Sequence, residues 1–304
     1  MRQMIREEPL PMLHASQPPC PDDDAFDAEP GRDAFVARYL RRIGLAVAPP
    51  PTREGLATLQ AAHIAAIPFE ALDALTGVGV DLDPDAIAAK LIDRRRGGYC
   101  FEQNALFLSV LRQIGFQAEG LIGRVRWMLP DDAPPTPRTH MTVRVWIAGR
   151  PWLADVGFGS AVPPQPLALD RPGAAQPTRH ETYRVSAHGG GYRVEAEIAG
   201  EWRVLYDMED APAPAIDYAV GNWYTSRHPD SHFTRQLSVA RSSAEARHGL
   251  RDNRLTIRRT DGRIEQRYLS ADGIEAALRD IFLLTPEPGW RRAIERAAAA
   301  EIAG

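Results

Sequence analysis

The chain has 304 residues, 44% of them hydrophobic and 25% charged, with a formal net charge of -4. That is ordinary globular composition, long enough for two or three packed units rather than one core, and it lacks the basic field that phosphate backbones attract, so nucleic acid is not an expected partner. No apolar run approaches the roughly 20 residues needed to span a bilayer, and two cysteines make no disulfide framework, which predicts a cytoplasmic protein without membrane contact. Residues 1–30 combine Pro9, Pro11, Pro18, Pro19, Pro21 and Pro30 with the acidic run Asp22-Asp23-Asp24. This composition predicts an extended or mobile leader with no apolar signal core.

From Asp33 to Gly115 the pattern is helical, with Phe35, Tyr39, Leu40 and Ile43 recurring at three- and four-residue steps before Gly44, and a short apolar turn from Ala86 to Ile92 after Asp83-Pro84. A helix opening at Cys100 runs through Ala105, Leu108, Leu111 and Ile114 to Gly115. Beyond Phe116 the period changes to two: Met141, Val143, Val145 and Ile147 alternate with polar or aromatic neighbours. Further strands are predicted at residues 118–127, 152–156, 181–186, 192–198 and 201–207, with turns at His188-Gly189-Gly190-Gly191 and Ala199-Gly200, a pattern of a small barrel or sandwich. The last third mixes strands at 236–240, 255–259 and 264–269 with helices near 272–282 and 290–302. The expected fold class is α+β and multi-domain, in a helical part (31–115), a β part (116–215) and a mixed part (216–304).

The chemistry concentrates at Arg96-Gly97-Gly98-Tyr99-Cys100-Phe101-Glu102-Gln103-Asn104. Glycines let the backbone turn sharply, and a thiol at a helix N-terminus feels the positive end of the peptide dipoles, which suits a nucleophile. A cysteine nucleophile needs a base and a group to orient that base. Of eight histidines, His140 opens the alternating strand, and the returning segment Ala154-Asp155-Val156-Gly157-Phe158-Gly159 sets an aspartate among apolar residues, where burial is costly without a partner. A turn centred on Gly149-Arg150 would leave His140 displaced from Asp155 by four residues, roughly 13 Å along the strand. Direct opposition needs a turn centred on Ile147-Ala148, a bulge, or pairing through other neighbours. No metal is expected, because the histidines and cysteines lack clustered ligand spacing.

These segments, together with Ile67-Pro68-Phe69-Glu70-Ala71-Leu72, Thr139-His140-Met141 and Asn222-Trp223-Tyr224-Thr225-Ser226 followed by Pro229, Ser231 and Phe233, resemble the ordered motifs of the arylamine N-acetyltransferases. The resemblance runs from about Asp33 to the C-terminus. It implies an N-terminal helical bundle, a central β-barrel and a C-terminal α/β lid, with a papain-like triad at the junction of the first two. It makes Cys100 the nucleophile, His140 its base and Asp155 the orienting group, favours a thiolate and imidazolium pair at rest, and names acetyl-coenzyme A as co-substrate and arylamines or hydrazines as acceptors, with no permanently bound cofactor. Backbone N–H groups, that of Cys100 among them, are candidates for the developing oxyanion. Phe69, Gly157 and Phe158 are candidate substrate-side residues, although each phenylalanine fits ordinary core equally well. Glu70 and Glu102 are expected to tie the motif loops together. Thr225 and Ser226, near Gly221 and an apparent helix end, are candidates for coenzyme A contact or for helix caps.

Three other readings share this chemistry: an amide synthase taking its acyl group from a carrier-bound thioester, a cysteine hydrolase of papain or transglutaminase character, and a small-molecule-binding relative that has lost turnover. The acyl donor and the fate of Cys100 separate them. The acceptor amine, acyl-chain preference and oligomeric state are left open by the sequence.

Overall fold

A computed structural model describes residues 30–300. Residues 1–29, with Cys20 and nearly all of the expected leader, lie outside the described residues. The first part folds as its apolar spacing predicts, into α1 (Pro30–Arg42), α2 (Arg53–Ala66), a two-residue strand β1 (Phe69–Glu70), short helices α3 (Leu72–Leu75) and α4 (Pro84–Ala88), a π-helical turn at Ala89–Asp93, and α5 (Cys100–Gln113). Thr52 caps α2 by accepting from the Gly55 N–H, and Asp83 caps α4 with Pro84 in its first turn. Helix α5 buries most of its circumference, and its Phe101, Phe107 and Leu111 share one core with Tyr39, Leu56, Leu59 and Leu91 and with Met141, Val143 and Val145 of the β part.

Eight antiparallel strands follow: β2 (Gln117–Val125), β3 (Arg138–Ile147), β4 (Arg150–Ala154), β5 (Leu167–Ala168), β6 (Gln176–Pro177), β7 (Thr182–His188), β8 (Gly191–Ile198) and β9 (Glu201–Glu209). Their order is β5-β4-β3-β2-β9-β8-β7-β6, a nearly closed barrel. A side chain bridges the two edge strands. The Gln176 amide accepts from the Ala168 N–H at 2.7 Å and donates to the Ala168 C=O at 3.0 Å, replacing the missing rung of backbone ladder. Gln176→Ala leaves both Ala168 groups unpaired and is expected to cost about 1–3 kcal/mol, read as a lower urea midpoint at unchanged slope.

The third part is α6 (Ala215–Arg227), β10 (Ser238–Ser242), β11 (Ala246–Arg251), β12 (Arg254–Arg259), β13 (Ile264–Tyr268), α7 (Ala271–Asp280) and α8 (Arg291–Ala298). It departs from the sequence expectations in two places. Strand β11 is unanticipated, because only Ala246 and Leu250 are apolar in Ala246-Arg247-His248-Gly249-Leu250-Arg251 and no period of two is visible. The five-stranded sheet β1-β10-β11-β12-β13 recruits β1 from the helical part, so the sheet crosses the expected boundary in sequence. The helix end expected near Thr225 and Ser226 is the end of α6 at Arg227, and Gly221 within that helix permits close packing, since an added Cβ would meet the Arg138 carbonyl oxygen at 2.6 Å and the Phe101 ring at 2.7 Å. One face of this sheet packs Val239, Leu250, Leu255 and Ile257 against Ile274, Leu278 and Ile294 of α7 and α8. No helix among the described residues is long and apolar enough to cross a membrane.

Candidate active site

Cys100 is the first residue of α5 and is 5% exposed. The turn that delivers it needs its glycines. A Cβ on Gly97 would sit 2.2 Å from the Pro68 carbonyl oxygen, and Gly98 forms a parallel bridge with Phe69. Glu102 accepts from the Tyr99 N–H at 3.0 Å, which satisfies one of the orphan donors at the helix start. The Cys100 thiol points at the barrel, donating to the Thr139 carbonyl at 3.3 Å.

The hairpin of β3 and β4 decides where the imidazole and carboxylate meet. Ile147 pairs with Arg150, so the turn is Ala148-Gly149, both at positive φ (50° and 74°), as a two-residue hairpin turn favours. That is neither of the turns weighed from sequence. Val143 pairs with Ala154, which sets Asp155 just past the end of β4 and level with Thr142, two residues from His140 on the same face. A diagonal neighbour is within reach of long side chains. His140 Nε2 and Asp155 Oδ2 are 2.8 Å apart, with His140 2% and Asp155 0% exposed.

Burial alone would neutralise both groups, and the geometry overrules it. Burial lowers the affinity of the His140 ring for a proton, but the charge and hydrogen bond of Asp155, followed by a hydrogen bond with Cys100, raise its pKa to about 10. Nε2 is held by Asp155, which leaves Nδ1 for the sulfur. Burial pushes the Asp155 carboxyl up, while the His140 charge and hydrogen bonds from His140, Asn104 and the Gly157 N–H outweigh it and hold the group below its ordinary value. Asn104 Nδ2 donates to Oδ1 at 3.0 Å, the Gly157 N–H donates to Oδ1 at 2.8 Å, and the Tyr206 hydroxyl donates to Oδ2 at 2.9 Å.

Asn104 and Tyr206 were not singled out by sequence reasoning. Asn104 carried a usable signal: it lies four residues after Cys100, hence on the same helix face, and it also donates to the Met141 C=O at 2.7 Å and accepts from the Val156 N–H at 3.1 Å. Tyr206 carried none, being one aromatic in an ordinary strand.

Gly157 belongs to this centre, since a Cβ there would meet Cys100 Cα at 2.7 Å and Asn104 Nδ2 at 2.7 Å. Phe158 stands edge-on to His140 with ring centroids 5.0 Å apart, and Phe69 lies beside Gly159 and 5.8 Å from Phe233. Thr225 and Ser226 stand elsewhere. Both are buried in the last turn of α6, where their hydroxyls donate to the Gly221 and Asn222 carbonyls of their own helix. Ser226 also borders a cavity of about 300 Å³ with Thr76, Gly77 and Thr234, lined by none of Cys100, His140 and Asp155.

Two buried polar networks hold the nucleophile turn. Lys90 Nζ lies 2.7 Å from Glu102 and 2.6 Å from Asp73; Arg96 lies 2.8 Å from both Glu70 and Asp73 and 3.0 Å from Glu287, with its guanidinium 4.5 Å over the Trp290 ring. Glu70 and Glu102 thus tie the loops together. On the other side of α5, His63 sits between the Tyr39 hydroxyl (2.8 Å) and Gln103 Oε1 (2.5 Å), and the Gln103 amide donates to the Pro68 and Gly98 carbonyls. Burial first, and the Arg42 charge after it, lower the His63 pKa to about 4, against the Gln103 hydrogen bond. The unfolded chain therefore binds a proton that the folded one refuses, so this histidine costs stability as pH falls from about 6.5 to 4, by about 3 kcal/mol. Urea midpoints of the wild type should fall over that window, and those of His63→Gln should fall less.

A profile of the N-acetyltransferase family matches residues 52–287. An arylamine N-acetyltransferase from Mycolicibacterium smegmatis is 44% identical over 247 residues, 80% of this chain and 90% of that one. An arylamine N-acetyltransferase / N-hydroxyarylamine O-acetyltransferase from Salmonella typhimurium is 38% identical over 68% of this chain and 73% of its own. Among solved structures, the Mycobacterium marinum arylamine N-acetyltransferase in complex with CoA superposes with a TM-score of 0.81 at 39% identity, covering 86% of this chain and 98% of that chain. With Cys100 at the head of α5 facing the barrel that holds the paired His140 and Asp155, and with matches of this length and identity, the chain belongs to the arylamine N-acetyltransferase family.

Proposed function

We propose that this chain transfers acetyl from acetyl-coenzyme A to the nitrogen of arylamines or hydrazines by ping-pong exchange on Cys100. The observation that carries the reading is the His140 ring, fixed through Nε2 by a buried carboxylate at 2.8 Å and raised in pKa by Asp155 first and by Cys100 after it. With the proton on His140, the Cys100 thiolate attacks the thioester carbonyl. The carbon–sulfur bond to coenzyme A breaks, and coenzyme A leaves with the proton from His140. The acceptor amine then attacks acetyl-Cys100, passes its proton to His140, and the thiolate departs, restoring the ion pair. Asp155 holds the ring and its charge throughout; Asn104, Tyr206 and the Gly157 N–H hold Asp155.

Phe69 and Phe158 fit the walls of an apolar slot beside the reacting carbon, and Gly157 allows the β4 side of the site to approach the sulfur. Thr225 and Ser226 act in this reading as stabilisers of the end of α6, with any contact to coenzyme A made through their lone pairs. The division near residues 115 and 215 places the nucleophile on one part, its base on the second, and a cover over both on the third; a free, buried Cys100 suits a reducing cytoplasm.

The test is intact-protein mass after incubation with acetyl-coenzyme A. One acetyl group on the Cys100 peptide, removed by added aniline or hydrazine with release of the N-acetyl product, is the expected result. A protein that stays unmodified by acetyl-coenzyme A and takes acyl groups only from a carrier-bound thioester would overturn it in favour of an amide synthase.

A further inference from the structure

Helix α2 buries Leu56, Leu59, Gln60, His63 and Ile64, so Gln60, which is 0% exposed, stands where the buried face of a helix calls for an apolar side chain. Its amide is turned to the barrel. Nε2 donates to the Asp155 C=O at 3.2 Å and to the Pro163 C=O at 2.7 Å, the two ends of the loop that follows β4. Both amide hydrogens are thereby used, and Oε1 has no partner among the described residues, so the amide cannot turn over without setting its oxygen against two carbonyls.

The loop that Gln60 closes carries much of the site. Asp155 lies past the last paired residue of β4, an added Cβ on Gly157 would meet Cys100 Cα at 2.7 Å, and Phe158 stands edge-on to His140. Farther along, the Ser160 C=O accepts from Arg247 Nη1 at 3.1 Å, and the Tyr183 hydroxyl lies 3.0 Å from the Ala161 carbonyl oxygen and 3.2 Å from that of Val162. Those contacts fix the far side of the loop. At its near end the Asp155 carboxylate is gripped by His140, Asn104, Tyr206 and the Gly157 N–H, while the Asp155 carbonyl is gripped by Gln60. A side chain held only at its tip can tilt with its backbone; held at both ends it has one direction.

Taking acetyl transfer through Cys100, His140 and Asp155 as given, we infer that Gln60 is a positioning residue for that reaction: by stapling both ends of the 155–163 loop it fixes the Asp155 peptide, and with it the direction from which the carboxylate holds His140 toward the sulfur. Gln60 touches no reacting atom and acts through Asp155. The titratable groups facing His140 are Asp155, Cys100 of α5 and Tyr206 of β9. Gln60 adds no charge to them, so replacing it with another neutral side chain alters the titration of His140 only by moving these groups.

The experiment compares the full-length wild type with Gln60→Met, which keeps a long flexible side chain and removes both donors. Single-turnover acetylation of Cys100 is expected to slow about tenfold, as a displacement of a fraction of an ångström at a reacting centre would do. The titration of the His140 ring, followed by ¹⁵N NMR without any substrate, is expected to move to lower pH by about 0.5–1 unit, because a carboxylate set further away supports the imidazolium less. Gln176→Ala, which also unpairs two backbone groups but touches none of the triad, should lower the urea midpoint and leave both readouts unchanged. A Gln60→Met protein that loses urea stability yet keeps the wild-type acetylation rate and His140 titration overturns the proposal. Gln60→Glu decides the matter where the methionine variant does not fold: burial among carbonyls keeps its carboxyl protonated, with one O–H donor for two acceptors, so acetylation at pH 7 should run about threefold below wild type, and a wild-type rate overturns the proposal equally. Failure of the wild-type Cys100 to accept acetyl overturns the transferase reading instead, and the His140 titration still decides the role of Gln60.

Discussion

Asp155→Asn is expected to lower kcat by about three to four orders of magnitude, the size of effect seen when a triad aspartate is replaced by its amide. The cause is the hydrogen-bond inventory around the side chain. Oδ1 accepts from Asn104 Nδ2 and from the Gly157 N–H, neither of which can turn into an acceptor, so the new amide oxygen must stay there. The new NH₂ then faces His140 Nε2 and the Tyr206 hydroxyl. Tyr206 can rotate to accept. His140 can accept only by moving its proton to Nδ1, the nitrogen that faces Cys100, and a ring protonated there and neutral cannot take the thiol proton. Loss of the carboxylate also removes the cause of the raised His140 pKa and leaves burial unopposed. In the wild type the folded-state pKa of about 10 exceeds the unfolded value near 6.5, so the stabilisation is complete below about 6.5 and is lost as pH rises through about 10. Urea midpoints of wild type and variant should therefore converge in alkali, while single-turnover acetylation of Cys100 reports the catalytic loss.

The parts of the site legible in the sequence were those where one residue type in one local setting has few uses: a cysteine after paired glycines at the head of an apolar helix, and an aspartate in an apolar return segment. What stayed hidden was set by contacts distant in sequence. The hairpin register depends on Ala148 accepting positive φ, a position glycine would ordinarily mark, and that single residue moves Asp155 by two places relative to a Gly149-Arg150 turn. Tyr206 reaches Asp155 across the barrel from β9, 51 residues away. Strand β11 was invisible because His248 separates Ala246 and Leu250 on the face packed against the helices, while the opposite face buries Arg247, which is 1% exposed and satisfied by Glu181 and the Tyr183 hydroxyl from the barrel. Period-two patterns report burial against apolar neighbours; they miss a strand whose buried side chain is an arginine with a tertiary partner. Helix α6 was blurred for the opposite reason. Ile216, Val220 and Trp223 are exposed while Gly221, Thr225 and Ser226 are buried, so its packed face is small and polar.

Arg96→Met should cost about 3–5 kcal/mol of stability, more than any other single change at the periphery of the site. The side chain is 4% exposed and joins three parts of the molecule: β1 through Glu70, α3 through Asp73, and the segment before α8 through Glu287 and Trp290. Methionine fills comparable volume but leaves Glu70, itself fully buried, with Lys90 at 3.9 Å as its remaining cation and the Leu72 N–H as its remaining close donor. The penalty comes chiefly from that stranded charge, so it should depend on pH. Burial works to raise the Asp73 pKa, but Lys90 and then Arg96 hold it below its ordinary value. In the wild type this carboxylate therefore contributes stability that is present above its unfolded pKa near 3.9 and is lost as pH falls through the lower folded value. Without Arg96 the folded value rises, and part of that contribution is gone already at neutral pH. Urea unfolding at pH 7 and at pH values falling below about 3.9 should show the gap between wild type and Arg96→Met narrowing in acid. Arg96→Lys, which restores a charge but neither the fork to Glu70 and Asp73 nor the stack on Trp290, should recover less than half of the loss at pH 7.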